Sequence, residues 1–131
     1  MRPSILLDSD VLIDYLRGVP SAVAFLADNA DCAAVPAIVV AELYAGARGA
    51  AEIATLQTLT DALVVLPITA ATARSAGLLK ARYGPSHGVG LVDALIAATA
   101  LEHGLSPATL NTRHFPMIPG LKPPYTKGPL S

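Results

Sequence analysis

Cysteine, aromatic side chains and charge are all scarce in this chain, and each scarcity removes a class of function. The one cysteine, Cys32, excludes an internal disulfide and a cysteine-built metal cage. Aromatic residues make up 5% of the chain, too few for an extended platform on which single-stranded bases stack. Charged residues reach 15% against 53% hydrophobic, which excludes disorder and predicts a tightly packed, alanine-rich core. The formal net charge is −1, so the basic excess usual in nucleic-acid binders is missing, although an acidic site that recruits cations offsets basic residues elsewhere. No uninterrupted apolar run reaches the roughly 18 residues of a spanning helix, so no membrane role is expected. The apolar run after Arg2 is cut off by Asp8 and Asp10, short of the roughly 7–15 residues of a signal peptide, and the expected location is the cytoplasm. His87, His103 and His114 have no zinc spacing, and His103 is read as a cation at a helix C-terminus. Neither a Gly-x-x-x-x-Gly-Lys phosphate loop nor a Gly-x-Ser-x-Gly elbow occurs.

What is there begins with acids in apolar company. Asp8 and Asp10 follow Ile5-Leu6-Leu7, Glu42 is embedded in Ile38-Val39-Val40-Ala41 and Leu43-Tyr44-Ala45, and Asp93 sits within Leu91-Val92 and Ala94-Leu95-Ile96. Stripping water from a carboxylate is costly unless it is paired or binds a cation. Several such acids point to one site in which a divalent cation cancels their repulsion, the electrostatics of metal-dependent phosphodiester chemistry. Asp14, beside Tyr15 and Arg17, is read instead as a solvated or Arg-paired surface acid.

At 131 residues the chain is expected to form one domain, 1–131, with 116–131 an extended proline-rich segment. Short apolar runs at 4–8, 32–35, 63–66 and 107–110 read as strands, the last of them central. Helical stretches lie between them: about 9–17 capped by Ser9 or Asp10, 20–29, 36–48, 51–62, 69–82 and 90–103. Tyr83 to Gly88 reads as a loop, and an edge strand is expected near Met117-Ile118. Strands alternating with helices imply an α/β fold with a parallel sheet covered on both faces, whose ligands gather at the carboxyl ends of the strands. Asp8 ends the first strand, Asn111 follows the last, and Asp93 lies one turn inside its helix.

Taken together, Ile5 to Ile13, Val40 to Gly46, Val92 to Thr99 and Leu110 to Leu121 resemble the PIN-domain ribonucleases, in particular the VapC-type toxins of type II toxin–antitoxin modules. The resemblance implies a three-layer α/β/α fold with a mainly parallel central sheet, Mg²⁺ or Mn²⁺ as cofactor, RNA as substrate and a cognate antitoxin as partner. It assigns Asp8, Glu42 and Asp93 as the catalytic and metal-holding acids. The chain departs from the family pattern where many relatives carry a fourth acid: it has Asn111, with His114 nearby, and Asp10 where relatives often have Asn. Ser9 is read as a hydroxyl orienting a carboxylate; Asp10, Asn111, Arg113 and His114 as residues supporting the site or touching substrate. Two alternatives stay open. One is a haloacid-dehalogenase-like phosphatase with Asp8 as nucleophile and Asp10 as acid/base; the other is a catalytically weakened binding protein of the same fold. Alanine- and leucine-rich helices at 51–62 and 69–82 carry apolar surface that implies a homodimer.

Overall fold

A computed structural model describes residues 3–126. Its elements run β1 (Ile5–Leu7), α1 (Ser9–Leu16), α2 (Pro20–Asn29), β2 (Ala33–Pro36), α3 (Ala37–Ala45), α4 (Gly49–Asp61), β3 (Val64–Leu66), α5 (Ala70–His87), α6 (Leu91–His103) and β4 (Ser106–Ala108). The four strands form one sheet in the order β3-β2-β1-β4, every pairing parallel. Helices cover it to give the three-layer α/β/α architecture. Residues Leu6, Leu7, Ala34 and Val35 of the middle strands are fully buried, as a parallel sheet covered on both faces requires. Leu12, Val39, Ile96 and Phe115 close the main core around them. Among the described residues, no helix is long and apolar enough to cross a membrane.

The strand order creates a switch point. From β1 the chain moves to β2 and then β3 on one side, and returns to lay β4 on the other side of β1. Connections therefore leave the sheet in opposite directions beside β1 and β4, opening a crevice at their carboxyl ends. Asp8 follows β1 and Thr109 follows β4 at that crevice.

Several expectations are corrected. The Tyr83–Gly88 loop is helical: α5 continues through Gly84 and Pro85 to His87 and ends at Gly88, whose φ of 65° suits glycine. Proline there removes a single helical hydrogen bond near the end of a helix that packs extensively on α6, so the helix survives it. The 36–48 helix stops at Ala45 and the next begins at Gly49, earlier than residue 51. Strand β4 is an edge strand, not a central one, a position that tolerates the missing N–H of Pro107. No strand forms at Met117-Ile118 among the described residues; turns occupy it. The first helix is capped by Asp8, not by Ser9 or Asp10. Asp14 is buried, not solvated: it is 3% exposed, and Tyr125 Oη donates to its Oδ2 at 2.8 Å. Of the proline-rich segment 116–131, the part from 127 on lies outside the described residues.

Candidate active site: an acidic rim at the sheet's carboxyl edge

Asp8 sits at the junction of β1 and α1, in extended conformation (φ −84°, ψ 161°). Its amide donates to Ala108 O at 3.0 Å, which ties its backbone to β4. Its Oδ1 accepts from the Ser9 amide at 2.7 Å, the capping bond that helix N-termini need. Its Oδ2 accepts from the Thr109 hydroxyl at 2.7 Å, and the Ser9 hydroxyl stands 3.4 Å from Oδ1. With 6% exposure, the carboxylate is fixed in place and offers little of itself to bulk water.

Asp10, one residue into α1, turns towards β4. Its Oδ2 accepts from the Leu110 amide at 2.9 Å and from Thr109 Oγ1 at 3.4 Å, while its Oδ1 is buried with no partner among the described residues. Burial, followed by the charge of Asp8, pushes its carboxyl up to about 6. Glu42 projects from α3, which packs on α1 and α6. Burial raises its carboxyl above the usual range, Asp8 and Asp93 raise it further, and a hydrogen bond from Ser9 pulls it back. Asp93, in the first turn of α6, is also raised, by burial and then by Asp8, against the pull of His114.

His114 lies in a short 3₁₀ turn, Thr112–His114, with Nδ1 3.1 Å from Asp93 Oδ2 and 2.6 Å from the side-chain amide of Asn111. An ionised carboxylate can only accept, so against Asp93 the proton sits on Nδ1, and Asn111 Nδ2 abuts the same ring nitrogen. The expected loop residue Asn111 thus holds His114, which holds Asp93. Arg113 is exposed on the same turn, with no hydrogen bond to these acids among the described residues.

The residue that sequence reasoning missed is Thr109. Its fully buried hydroxyl donates to Asp8 and accepts from the Asn111 amide at 3.1 Å, linking the two halves of the rim. In the sequence it is only the third residue of an apolar run, and nothing in that run reveals the register that sets it against Asp8.

The donor set suits a hard divalent cation. Burial and the neighbouring charge of Asp8 raise both Glu42 and Asp93, and no Lys or Arg forms an ion pair with these acids among the described residues; the His114 ring, against Asp93, is the one basic side chain within reach. No three His, Cys, Asp or Glu side chains among the described residues close on a common point, so a full protein cage is absent. Mg²⁺ needs no such cage, since it keeps several waters and takes only one or two carboxylates directly.

Fold and rim together define an α/β protein with an acid cluster at its topological switch point. A family model for the PIN domain matches residues 5–120, and the chain belongs to the PIN-domain family. It is similar to Ribonuclease VapC19 of Mycobacterium tuberculosis, 43% identical over 124 residues that span 92% of this chain and 98% of that one. It is 46% identical over 124 residues to Ribonuclease VapC10 of the same organism, spanning 92% of each. Among solved structures, a toxin–antitoxin complex from Klebsiella pneumoniae matches with a TM-score of 0.78 at 28% identity, covering 93% of this chain and 98% of that one. FitAcB from Neisseria gonorrhoeae matches with a TM-score of 0.69 at 30% identity, covering 85% and 90%.

Proposed function

We propose that the chain is a divalent-metal-dependent endoribonuclease, acting in the cytoplasm as the toxin of a toxin–antitoxin pair. The observation that carries this reading is the setting of Glu42 and Asp93 around the buried Asp8 at the switch point, where burial and then the charge of Asp8 raise both carboxyls, an arrangement that gains most from a bound cation. Similarity to two ribonucleases over nearly their whole lengths supports RNA as the substrate. The phosphatase alternative needs an Asp10 oxygen open to substrate, whereas its Oδ1 is buried and its Oδ2 is engaged by the Leu110 amide and the Thr109 hydroxyl.

Asp8, Asp93 and Glu42 would hold Mg²⁺ or Mn²⁺, which when bound would supply an activated water and offset charge building on the phosphate. Thr109 and the Ser9 amide fix both Asp8 oxygens, so the carboxylate does not reorganise as charge develops. His114 aims Asp93 and is itself oriented by Asn111. Glu42, the most exposed of the three acids, takes a proton from the attacking water, a role its raised affinity for protons suits.

The same rim suits a protein partner. A groove of about 600 Å³ opens beside Glu42, with Ile13, Leu16, Leu43 and Leu56 as its apolar lining and Arg17 and Arg48 among its polar residues. A short amphipathic antitoxin segment would fill it, and an arginine from that segment could satisfy the acids in place of a cation. Exposed Ile53, Leu78 and Leu101 on α4, α5 and α6 support a homodimer.

The test is cleavage of a labelled RNA by purified protein with Mg²⁺, with Mn²⁺ or with chelator. Metal-dependent cleavage by the wild type and none by Asp93→Asn is expected. Equal cleavage by both, or cleavage in chelator, refutes the reading.

A further inference from the structure

The net charge of −1 conceals a separation of charge by element. Helices α1, α2, α3, α4 and α6 each carry at least one acid and no Lys or Arg. Helix α5 is the reverse: it holds Arg74, Lys80 and Arg82, ends at His87, and has no acid. No Asp or Glu occurs anywhere from 62 to 92. A field of one sign on one element survives even in a nearly neutral protein, because screening at physiological salt confines each charge's reach to about 8 Å.

The C-terminal turns of α5 are also organised. The Arg82 guanidinium lies 5.1 Å from the centroid of the Tyr83 ring, and the His87 ring meets Tyr83 edge-on at 6.0 Å. Ser86 Oγ is 2.8 Å from His87 Nδ1, fixing the imidazole. Such stacking holds the Arg82 guanidinium and the His87 ring in one geometry before any ligand arrives, reducing the ordering cost of binding. On the Lys80 side of the helix lies a shallow cavity of about 590 Å³, lined also by Gly84, Gly88, Val89 and Gly90. It leads from α5 to the loop entering α6, whose first turn carries Asp93. His87 and Asp93 are six residues apart and cannot lie more than about 20 Å from each other.

We infer that the C-terminal half of α5 is the surface that holds the RNA strand beside the acidic rim. The strand crosses the helix between Lys80 and Arg82, which project to its two flanks and each take a phosphate, and an unpaired base rests on the exposed His87 ring. This assignment rests on the ribonuclease reading, and it resolves a conflict within it, since the rim itself repels a polyanion. The groove beside Glu42 is a weaker candidate for RNA, because Glu42 and Glu52 line it together with its two arginines and offset their charge.

Binding is measured by fluorescence anisotropy of a labelled single-stranded RNA oligomer with the full chain in chelator, where metal-dependent cleavage is silent. Lys80→Ala/Arg82→Ala is compared with Arg17→Ala/Lys122→Ala, a pair that removes equal charge from other exposed positions. The α5 pair should lose at least about tenfold in affinity, and its salt slope should fall by about 1.4, or 0.7 for each single-strand phosphate contact. His87→Ala should lose about fivefold through lost stacking. Circular dichroism should be unchanged, since all these side chains are exposed. Equal losses from the two pairs, no loss from the α5 pair, or no wild-type affinity for RNA overturns the assignment. Cleavage in Mg²⁺ or Mn²⁺ is read separately. Cleavage with α5-independent binding sinks this inference alone, while α5-dependent binding without cleavage sinks the ribonuclease reading alone.

Discussion

Asp8 is held through both of its oxygens, by the Ser9 amide on one side and the Thr109 hydroxyl on the other. Replacing it by Asn, or Asp93 by Asn, supplies a poor ligand for a hard cation, so RNA cleavage should fall by at least about 100-fold with the fold retained. Steady-state rates beside circular dichroism check this. Thr109→Val keeps shape but leaves the Asp8 oxygen and the Asn111 amide without their partner. It should cost about 1–3 kcal/mol of stability and lower cleavage, whereas Thr109→Ser should restore both. A valine variant as stable and active as wild type would remove Thr109 from the site. Asp10 makes a pH prediction. Its carboxyl is raised to about 6 from 3.8, so the folded state binds this proton more tightly than the unfolded chain does. Stability from that proton is fully present below about pH 4 and is lost as pH rises through about 6. Glu42 and Asp93 are raised in the same direction and add to the slope. Metal-free protein should therefore melt at higher temperature at pH 5 than at pH 7.5. Asp10→Asn should flatten that difference in a thermal melt series, and an unchanged series would count against the burial argument.

At the scale of elements, apolar runs and caps made most boundaries legible, and breakers misled where packing overrode them. Gly84-Pro85 reads as a loop, yet α5 continues because its buried face, including Thr72 and Ala76, lies on α6. The helix start was readable: Thr69 and Thr72 form a reciprocal capping box, with Thr72 Oγ1 also donating to Glu102 at 3.0 Å. Thr69→Ala should cost about 1 kcal/mol and lower Tm by roughly 3–5 °C. The segment after β4 contributes through Tyr125, whose hydroxyl reaches buried Asp14 and whose ring lies 6.2 Å from that of Phe25. That 111-residue separation is why Asp14 read as a surface acid. Tyr125→Phe deletes a donor to a buried carboxylate and should destabilise by about 1–3 kcal/mol, measured by urea denaturation. No change in midpoint would mean water replaces the hydroxyl freely.

For the whole molecule, the expectation concerns assembly. Co-expression with a small partner encoded beside this chain should yield a complex in which RNA cleavage is suppressed. Leu16→Glu, at the groove beside Glu42, should release the partner without unfolding the chain, since Leu16 is 37% exposed. Size exclusion and a cleavage assay report both effects. A monomer whose cleavage ignores the partner would refute the toxin reading and leave the nuclease reading intact.

The sequence by itself determined the alternation of strands and helices, the parallel sheet and that Asp8, Glu42 and Asp93 stand in apolar surroundings, because periodicity and the cost of stranding a carboxylate among apolar residues are local properties. Tertiary structure alone decided which other polar residues lie against those acids. Asp10 and Thr109 stand 99 residues apart yet share a contact at 3.4 Å. Their meeting depends on β1 and β4 being neighbours, and strand order is a global packing outcome that no window of sequence contains. The same holds for α5: its charges are plain in the sequence, but only the turn from α5 into α6 brings the C-terminal end of α5 round to the start of the helix that carries Asp93.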